Sequence, residues 1–134
     1  MKDNIKKFYE TVGKKVKDYS KEFGTTYRQV CFMLAPNESG KVDFNLFVNG
    51  AFNKKLNLQT DVLEIKIDFM NIAAQVDYFL TFILNGFIQE LGCEPKDVSV
   101  MIIATSDEDA NPYIALYKNN HFVRYVDLVK ELDL

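Results

Sequence analysis

Val42-Asp43-Phe44-Asn45-Leu46-Phe47-Val48 runs directly into Asn49-Gly50. Val42, Phe44, Leu46 and Val48 recur at every second position, the period of a strand with one face buried. Asn-Gly best supplies the two positive φ angles that a tight hairpin turn requires. Ala51 to Leu58 is then expected to return as the partner strand. This hairpin sets the fold class, because it commits the chain to antiparallel pairing.

Upstream, Tyr27 to Ala35 is a nearly continuous apolar run between Gly24 and Pro36-Asn37-Glu38-Ser39-Gly40. Such a run predicts a strand buried on both faces, followed by a turn. Before it, Ile5, Phe8, Tyr9, Val12, Val16, Tyr19 and Phe23 recur at three- and four-residue steps. They predict an amphipathic N-terminal helix that Gly24 terminates.

Downstream, Leu63, Ile65 and Ile67 alternate with Glu64, Lys66 and Asp68, which predicts a further strand. From Ile72 the period becomes helical. Ile72, Val76, Phe79, Leu80, Ile83, Leu84, Phe87, Ile88 and Leu91 form a wide apolar stripe, with Tyr78 and Phe82 on its flank. Such a helix is covered on most sides, and Gly92 and Pro95 end it. Val98 to Thr105 reads as a central strand. Tyr113 to Lys118 and His121 to Tyr125 flank Asn119-Asn120, a second hairpin signal. Asp127 can cap a short last helix.

The expected fold is α+β: a mostly antiparallel sheet of about six strands, an N-terminal amphipathic helix, a long central helix and a short C-terminal helix. One domain spans residues 1–134. No internal repeat, low-complexity tract or linker is read from the chain. At 134 residues, 48% hydrophobic and 26% charged, it can bury a core without metal or disulfide. That composition excludes disorder, collagen-like repeats and a coiled-coil rod.

Composition also narrows the chemistry. His121 is the single histidine, so a His-rich zinc site cannot be built, and any Ser-His-Asp or Cys-His arrangement must use it. His121 is expected to share a strand face with Val123 and Tyr125, near Tyr113 and Tyr117. A hydrogen-bonded sheet residue is the plain account of it, and a proton shuttle the functional one. Cys31 and Cys93 lie far apart, with no Cys-x-x-Cys, and read as reduced thiols of a cytoplasmic protein. The N-terminus has no apolar signal core, and Ile72 to Leu91 is too interrupted by polar residues for a membrane span. No membrane partner, cofactor or metal is expected.

Charge is uneven. Residues 1–28 carry Lys2, Lys6, Lys7, Lys14, Lys15, Lys17, Lys21 and Arg28 against Asp3, Glu10, Asp18 and Glu22, while the whole chain is net -3. Lys6, Lys14, Lys17 and Lys21 are spaced so that several are expected to point away from the apolar stripe, as nucleic-acid phosphates or an acidic protein would require. A solvated helix face has the same pattern. Asp107, Glu108 and Asp109 form an acidic loop suited to a basic partner, or simply to solvent. Phe47 and Phe52 flank the Asn49-Gly50 turn and are the expected exposed aromatics of a partner or homodimer face.

Glu64-Ile65-Lys66 carries a second reading. With Asp43 upstream, and with the order helix, strands, helix, strand, the first hundred residues loosely resemble the core of the PD-(D/E)xK nuclease superfamily. That resemblance implies Asp43 and Glu64 as Mg²⁺ ligands and Lys66 as the residue that helps activate a water. Acid-x-Lys occurs twice here, again at Glu94-Pro95-Lys96, a frequency that composition alone supplies. Asn111-Pro112-Tyr113, the second hairpin and the terminal helix look like the C-terminal half of thioredoxin-like proteins, but the reactive Cys-x-x-Cys is missing. The favoured function is therefore a small non-enzymatic protein-binding module of the inhibitor, immunity or accessory type. The alternative is a Mg-dependent nuclease-like or nucleic-acid-binding domain. The expected partner is another protein, with nucleic acid or a second copy next.

Overall fold

A computed structural model describes residues 2–105 and 111–131. The element order is α1 (Lys2–Glu22), β1 (Val30–Pro36), β2 (Val42–Val48), β3 (Ala51–Leu56), α2 (Ile72–Leu91), β4 (Val98–Ile103), β5 (Tyr113–Lys118), β6 (His121–Val126) and α3 (Leu128–Glu131). The six strands form one sheet in the order β3-β2-β1-β4-β5-β6, and every neighbouring pair is antiparallel. The α+β class, the sheet and all three helices agree with the sequence reading.

The core lies between the sheet and the helices. Ile5, Phe8, Val12, Val16 and Tyr19 of α1 and Val76, Leu80, Leu84 and Phe87 of α2 are buried against Val30, Phe32, Leu34, Phe44, Leu46, Val100, Ile102, Ile114 and Leu116. Edge-on ring contacts fix the layers, Phe8 on Phe44 at 6.0 Å and Tyr19 on Phe32 at 5.9 Å. Leu128 of α3 closes the same core beside Phe8 and Val126.

Two sequence expectations are corrected. Leu63 to Asp68 is not a strand. After β3 the chain makes a single π turn, Leu58–Val62, and then runs irregularly to α2. Glu64 and Asn71 take left-handed φ angles of 55° each, which a strand cannot contain. The Gln59 side chain donates to the carbonyls of Ile65 and Lys66, in place of a sheet neighbour. Asp68 caps α2 instead, accepting from the Ile72 and Ala73 amides at 2.7 and 2.9 Å. The alternation at Leu63–Asp68 therefore reflects a turn lying along α1, not a pleat.

The second correction concerns repetition. The chain is two copies of one unit: helix, 3₁₀ turn, three strands, terminal turn. Tyr27–Gln29 precedes β1 as Pro95–Asp97 precedes β4. Phe8, Val12, Val16 and Tyr19 correspond in order and spacing to Val76, Leu80, Leu84 and Phe87. Both long helices end in the same hydrogen-bonded glycine cap. Gly24 and Gly92 have φ of 64° and 60°, Thr25 donates to Ser20 and Cys93 to Ile88. In each hairpin turn the leading asparagine amide bonds back to the 3₁₀ turn, Asn49 to Gln29 at 2.7 Å and Asn119 to Asp97 at 2.8 Å. A cation lies over the last buried ring of each helix, Lys54 over Tyr19 and Arg124 over Phe87. Asn57 and Asp127 cap the two terminal turns alike, accepting from Thr60 and Lys130. The repeat conserves burial and backbone geometry more than residue identity, so it does not show as a sequence repeat.

Candidate functional site

α1, α2 and α3 all pack on one side of the sheet. Among the described residues, no element packs on the other side. The central strands, expected to be buried on both faces, are covered on one. In β1 and β4, Val30, Phe32, Leu34, Val98, Val100 and Ile102 are buried, while Cys31, Met33, Met101 and Ile103 on the opposite face are half-buried.

That open face is apolar from β1 to β6 and turns polar toward the other edge, where Met33 pairs with Asn45 and Asn45 with Lys55. Met33 pairs with Met101, Met101 with Ala115, and Ala115 with Tyr125, so one row crosses four strands. Aromatic clusters stand at diagonally opposite corners. Phe47 and Phe52 meet edge-on at 5.9 Å, as do their counterparts Tyr117 and Phe122 at 6.0 Å. Phe122 also touches Tyr125 at 5.1 Å, and Tyr125 touches Tyr113 at 5.9 Å. Phe52, Tyr113, Phe122 and Tyr125 are each more than half exposed. With strands about 4.8 Å apart and about 3.3 Å per residue, the two corners lie roughly 20 Å apart.

The face carries little charge. Asp43 pairs with Lys55 at 2.9 Å and accepts from Asn37 at 3.0 Å. Burial pushes the Asp43 carboxyl up, but the bonds from Asn37 and Lys55 and the ammonium charge outweigh it and leave the pKa below its usual value. Where the first half places this ion pair, the second places Tyr113 and Tyr125. Burial pushes the Cys31 thiol up to about 11, so it is a packing residue of this face rather than a nucleophile.

The bulges decide which aromatics gather here. β3 and β6 each carry one between the second and fourth residues of the strand. In β6 the bulge sets Phe122 opposite Tyr117 and Tyr125 opposite Ala115, all on the open face. His121 pairs with Lys118 on the other side, so it does not share a face with Tyr125 as the alternation suggested.

The remaining sequence candidates scatter. Asp43 lies on the open face, whereas Glu64 pairs with Lys15 on the helical side, so the sheet separates them. The Lys15 contact, by hydrogen bond and charge, holds the Glu64 carboxyl below its usual range. Lys66 is exposed on the loop before α2. No group of three or more metal-ligating side chains occurs among the described residues. Lys6, Lys14 and Lys21 are exposed on α1, and Lys17 is half-buried over the Tyr27 ring at 5.8 Å. The shallow groove beside α1 is lined by Lys7, Lys14 and Lys15 but also by Asp18 and Glu64, so its cations are answered by carboxylates. Asp107, Glu108 and Asp109 lie outside the described residues. No described helix is long and apolar enough to cross a membrane.

Of the expected site, Phe47 and Phe52 join the open face. Met33, Met101, Tyr113, Tyr117, Phe122 and Tyr125 were not singled out as interaction residues. For Met33 and Met101 the signal was the nearly unbroken apolar character of Val30–Ala35 and Val98–Ile103, more than a one-sided sheet needs. Comparison with protein-family models, curated proteins and solved structures gave no match to this chain.

Proposed function

We propose that this chain is a non-enzymatic binding protein that recognises another protein through the face of its sheet that no described element covers. The observation that supports this most is the row of Met33, Met101, Ala115 and Tyr125, in which the methionines are half-buried, Ala115 is buried and Tyr125 is exposed, flanked by aromatic corners that are more than half exposed at Phe52, Tyr113, Phe122 and Tyr125. Protein interfaces concentrate Met, Tyr and Phe at their centres and shed charge there, the composition of this face. An apolar face of this extent is costly to leave in water and is normally covered by a partner. An inhibitor, immunity or accessory role fits such a surface. The reading places the protein in the cytoplasm, in keeping with two unpaired thiols, Cys31 and Cys93.

A nucleic-acid partner is less well supported. Lysines on α1 are interleaved with acids, and on the open face Lys55 is already paired with Asp43, so its aromatics lack the cluster of cations that phosphates need.

Affinity capture from the native lysate at low and moderate salt tests the reading. Three baits are compared: wild type, Tyr113→Ser/Tyr125→Ser, and Lys6→Glu/Lys14→Glu/Lys21→Glu. A defined protein captured at both salts by the first and third baits, and lost from the second, supports the sheet face. Nucleic acid captured alone, and lost with the lysine variant or with salt, assigns the interaction to α1 instead.

A further inference from the structure

The two halves of the chain supply an internal control for what a solvated helix looks like in this fold. α1 and α2 hold equivalent positions and bury equivalent residues. Their outward faces differ. Where α1 presents Lys6, Glu10, Lys14, Asp18 and Lys21, α2 presents Ala74, Tyr78, Phe82, Gly86 and Gln89. Packing does not explain the difference, because Tyr78 and Phe82 remain 62% and 65% exposed. The approach to α2 adds Ile67, Phe69 and Met70, at 68%, 87% and 74%. Large apolar side chains on the outer side of a helix belong in a buried position, and here Tyr78 and Phe82 have no cover among the described residues.

We infer that α2 seats against α2 of a second copy of this chain, in an antiparallel, two-fold related pair. The proposal is independent of the sheet face, which lies on the other side of the molecule. Charge permits self-pairing. Asp77 and Glu90 are the only ionic residues of α2, and both are engaged, Asp77 by Thr81 and Glu90 by Arg124. Two copies therefore meet without opposed like charges. The absence of Lys and Arg from α2 disfavours an anionic lipid or phosphate surface, which basic residues would hold.

Shape and area agree. With the dyad near Phe82, Tyr78 of each copy lies over Gly86 of the other, where open space surrounds the Cβ position. At their observed exposures, Ile67, Phe69, Met70, Tyr78 and Phe82 offer roughly 600–700 Å² per copy. A stable interface needs about 800 Å² per partner, and the neighbouring Ala74, Asn85 and Gln89 can supply the rest.

Sedimentation equilibrium of the full chain, from low micromolar to hundreds of micromolar, tests this against two variants. Tyr78→Glu/Phe82→Lys places the residues of α1 on α2. Tyr113→Ser/Tyr125→Ser alters only the sheet face. All four positions are exposed, and thermal melts followed by circular dichroism verify folding. The expected result is a wild-type dimer, unchanged in the sheet-face variant, whose dissociation constant rises at least about a hundredfold in the α2 variant. A wild type monomeric at every concentration overturns the inference, as does a dimer that survives the α2 variant. A dimer lost only in the sheet-face variant overturns it too, and shows that copies meet through the sheet. A monomer that co-sediments with phosphatidylcholine vesicles, and loses that binding in the α2 variant, would give the α2 face to a lipid surface instead.

Discussion

Met33 and Met101 stand directly opposite each other across the β1–β4 ladder, and each holds the same place in its own half of the chain. A pseudo-two-fold axis therefore passes between them, perpendicular to the sheet. The flanking pairs obey it, since Phe32 meets Ile102 as Leu34 meets Val100. The molecule behaves as a fused dimer whose two hairpins diverge outward from this pair. Its testable consequences concern equivalent positions first.

Leu46 and Leu116 are equivalent, and neither has any exposed surface. Leu46→Ala and Leu116→Ala should each cost about 2–5 kcal/mol, the cost of an unfilled leucine cavity. Urea unfolding should find the two losses within about 1 kcal/mol of each other. A much larger difference would mean that the halves are not energetically equivalent.

The two hairpin turns are unequal in chemistry. Asn49-Gly50 has φ of 53° and 78°, and Asn119-Asn120 has 50° and 64°. Only the first turn has glycine at its second position. Asn120→Gly should stabilise by up to about 1 kcal/mol, and Gly50→Ala should destabilise by about 1–2 kcal/mol. Melting midpoints that move in opposite directions are the expected readout.

Asp68 accepts two amides at the start of α2. Asp68→Ala should cost about 1 kcal/mol, and Asp68→Asn less, since the amide oxygen can still accept. Equal losses from both substitutions, measured by urea unfolding, would count against the cap.

Asp43 gives the stability a sign with pH. Its folded pKa lies below the unfolded value, because Asn37 and Lys55 outweigh burial. Its stabilisation is therefore present above the unfolded aspartate pKa and is lost as pH falls through the lower folded value. The pair is partly solvated, so the effect should stay within about 1 kcal/mol. Unfolding free energies taken from neutral pH down into the acid range should fall less steeply for Asp43→Asn than for wild type.

The Cys31 thiol, raised to about 11 by burial, should be slow to alkylate. At pH 8 about a thousandth of it is thiolate. In a Cys93→Ser background, native Cys31 should react orders of magnitude more slowly than the same chain in denaturant. Comparable rates in the two states would show that the site is neither desolvated nor protected.

Much of the architecture was legible because it rests on local periods. The α1 stripe, the Asn49-Gly50 turn, the α2 stripe and the stops at Gly24 and Gly92 each report a backbone conformation within a few residues. Leu63–Asp68 misled because alternation records which side chains find cover. Here the cover is α1, and Gln59 satisfies the backbone in place of a neighbouring strand. The open face was half legible. Phe47 and Phe52 stood out beside their turn, whereas Phe122 and Tyr125 reach that face only because a bulge shifts the register between them.

By itself, the sequence determined the α+β class, the positions of the helices and both hairpins, since those follow from side-chain period and from residues that accept positive φ. Tertiary structure alone decided that one face of the sheet has no cover among the described residues, that α2 keeps Tyr78 and Phe82 on its outer side, and that the two halves are one unit used twice. Those properties depend on which elements meet across long stretches of chain. An apolar residue reads the same in a sequence whether a helix, a second copy or only solvent lies against it.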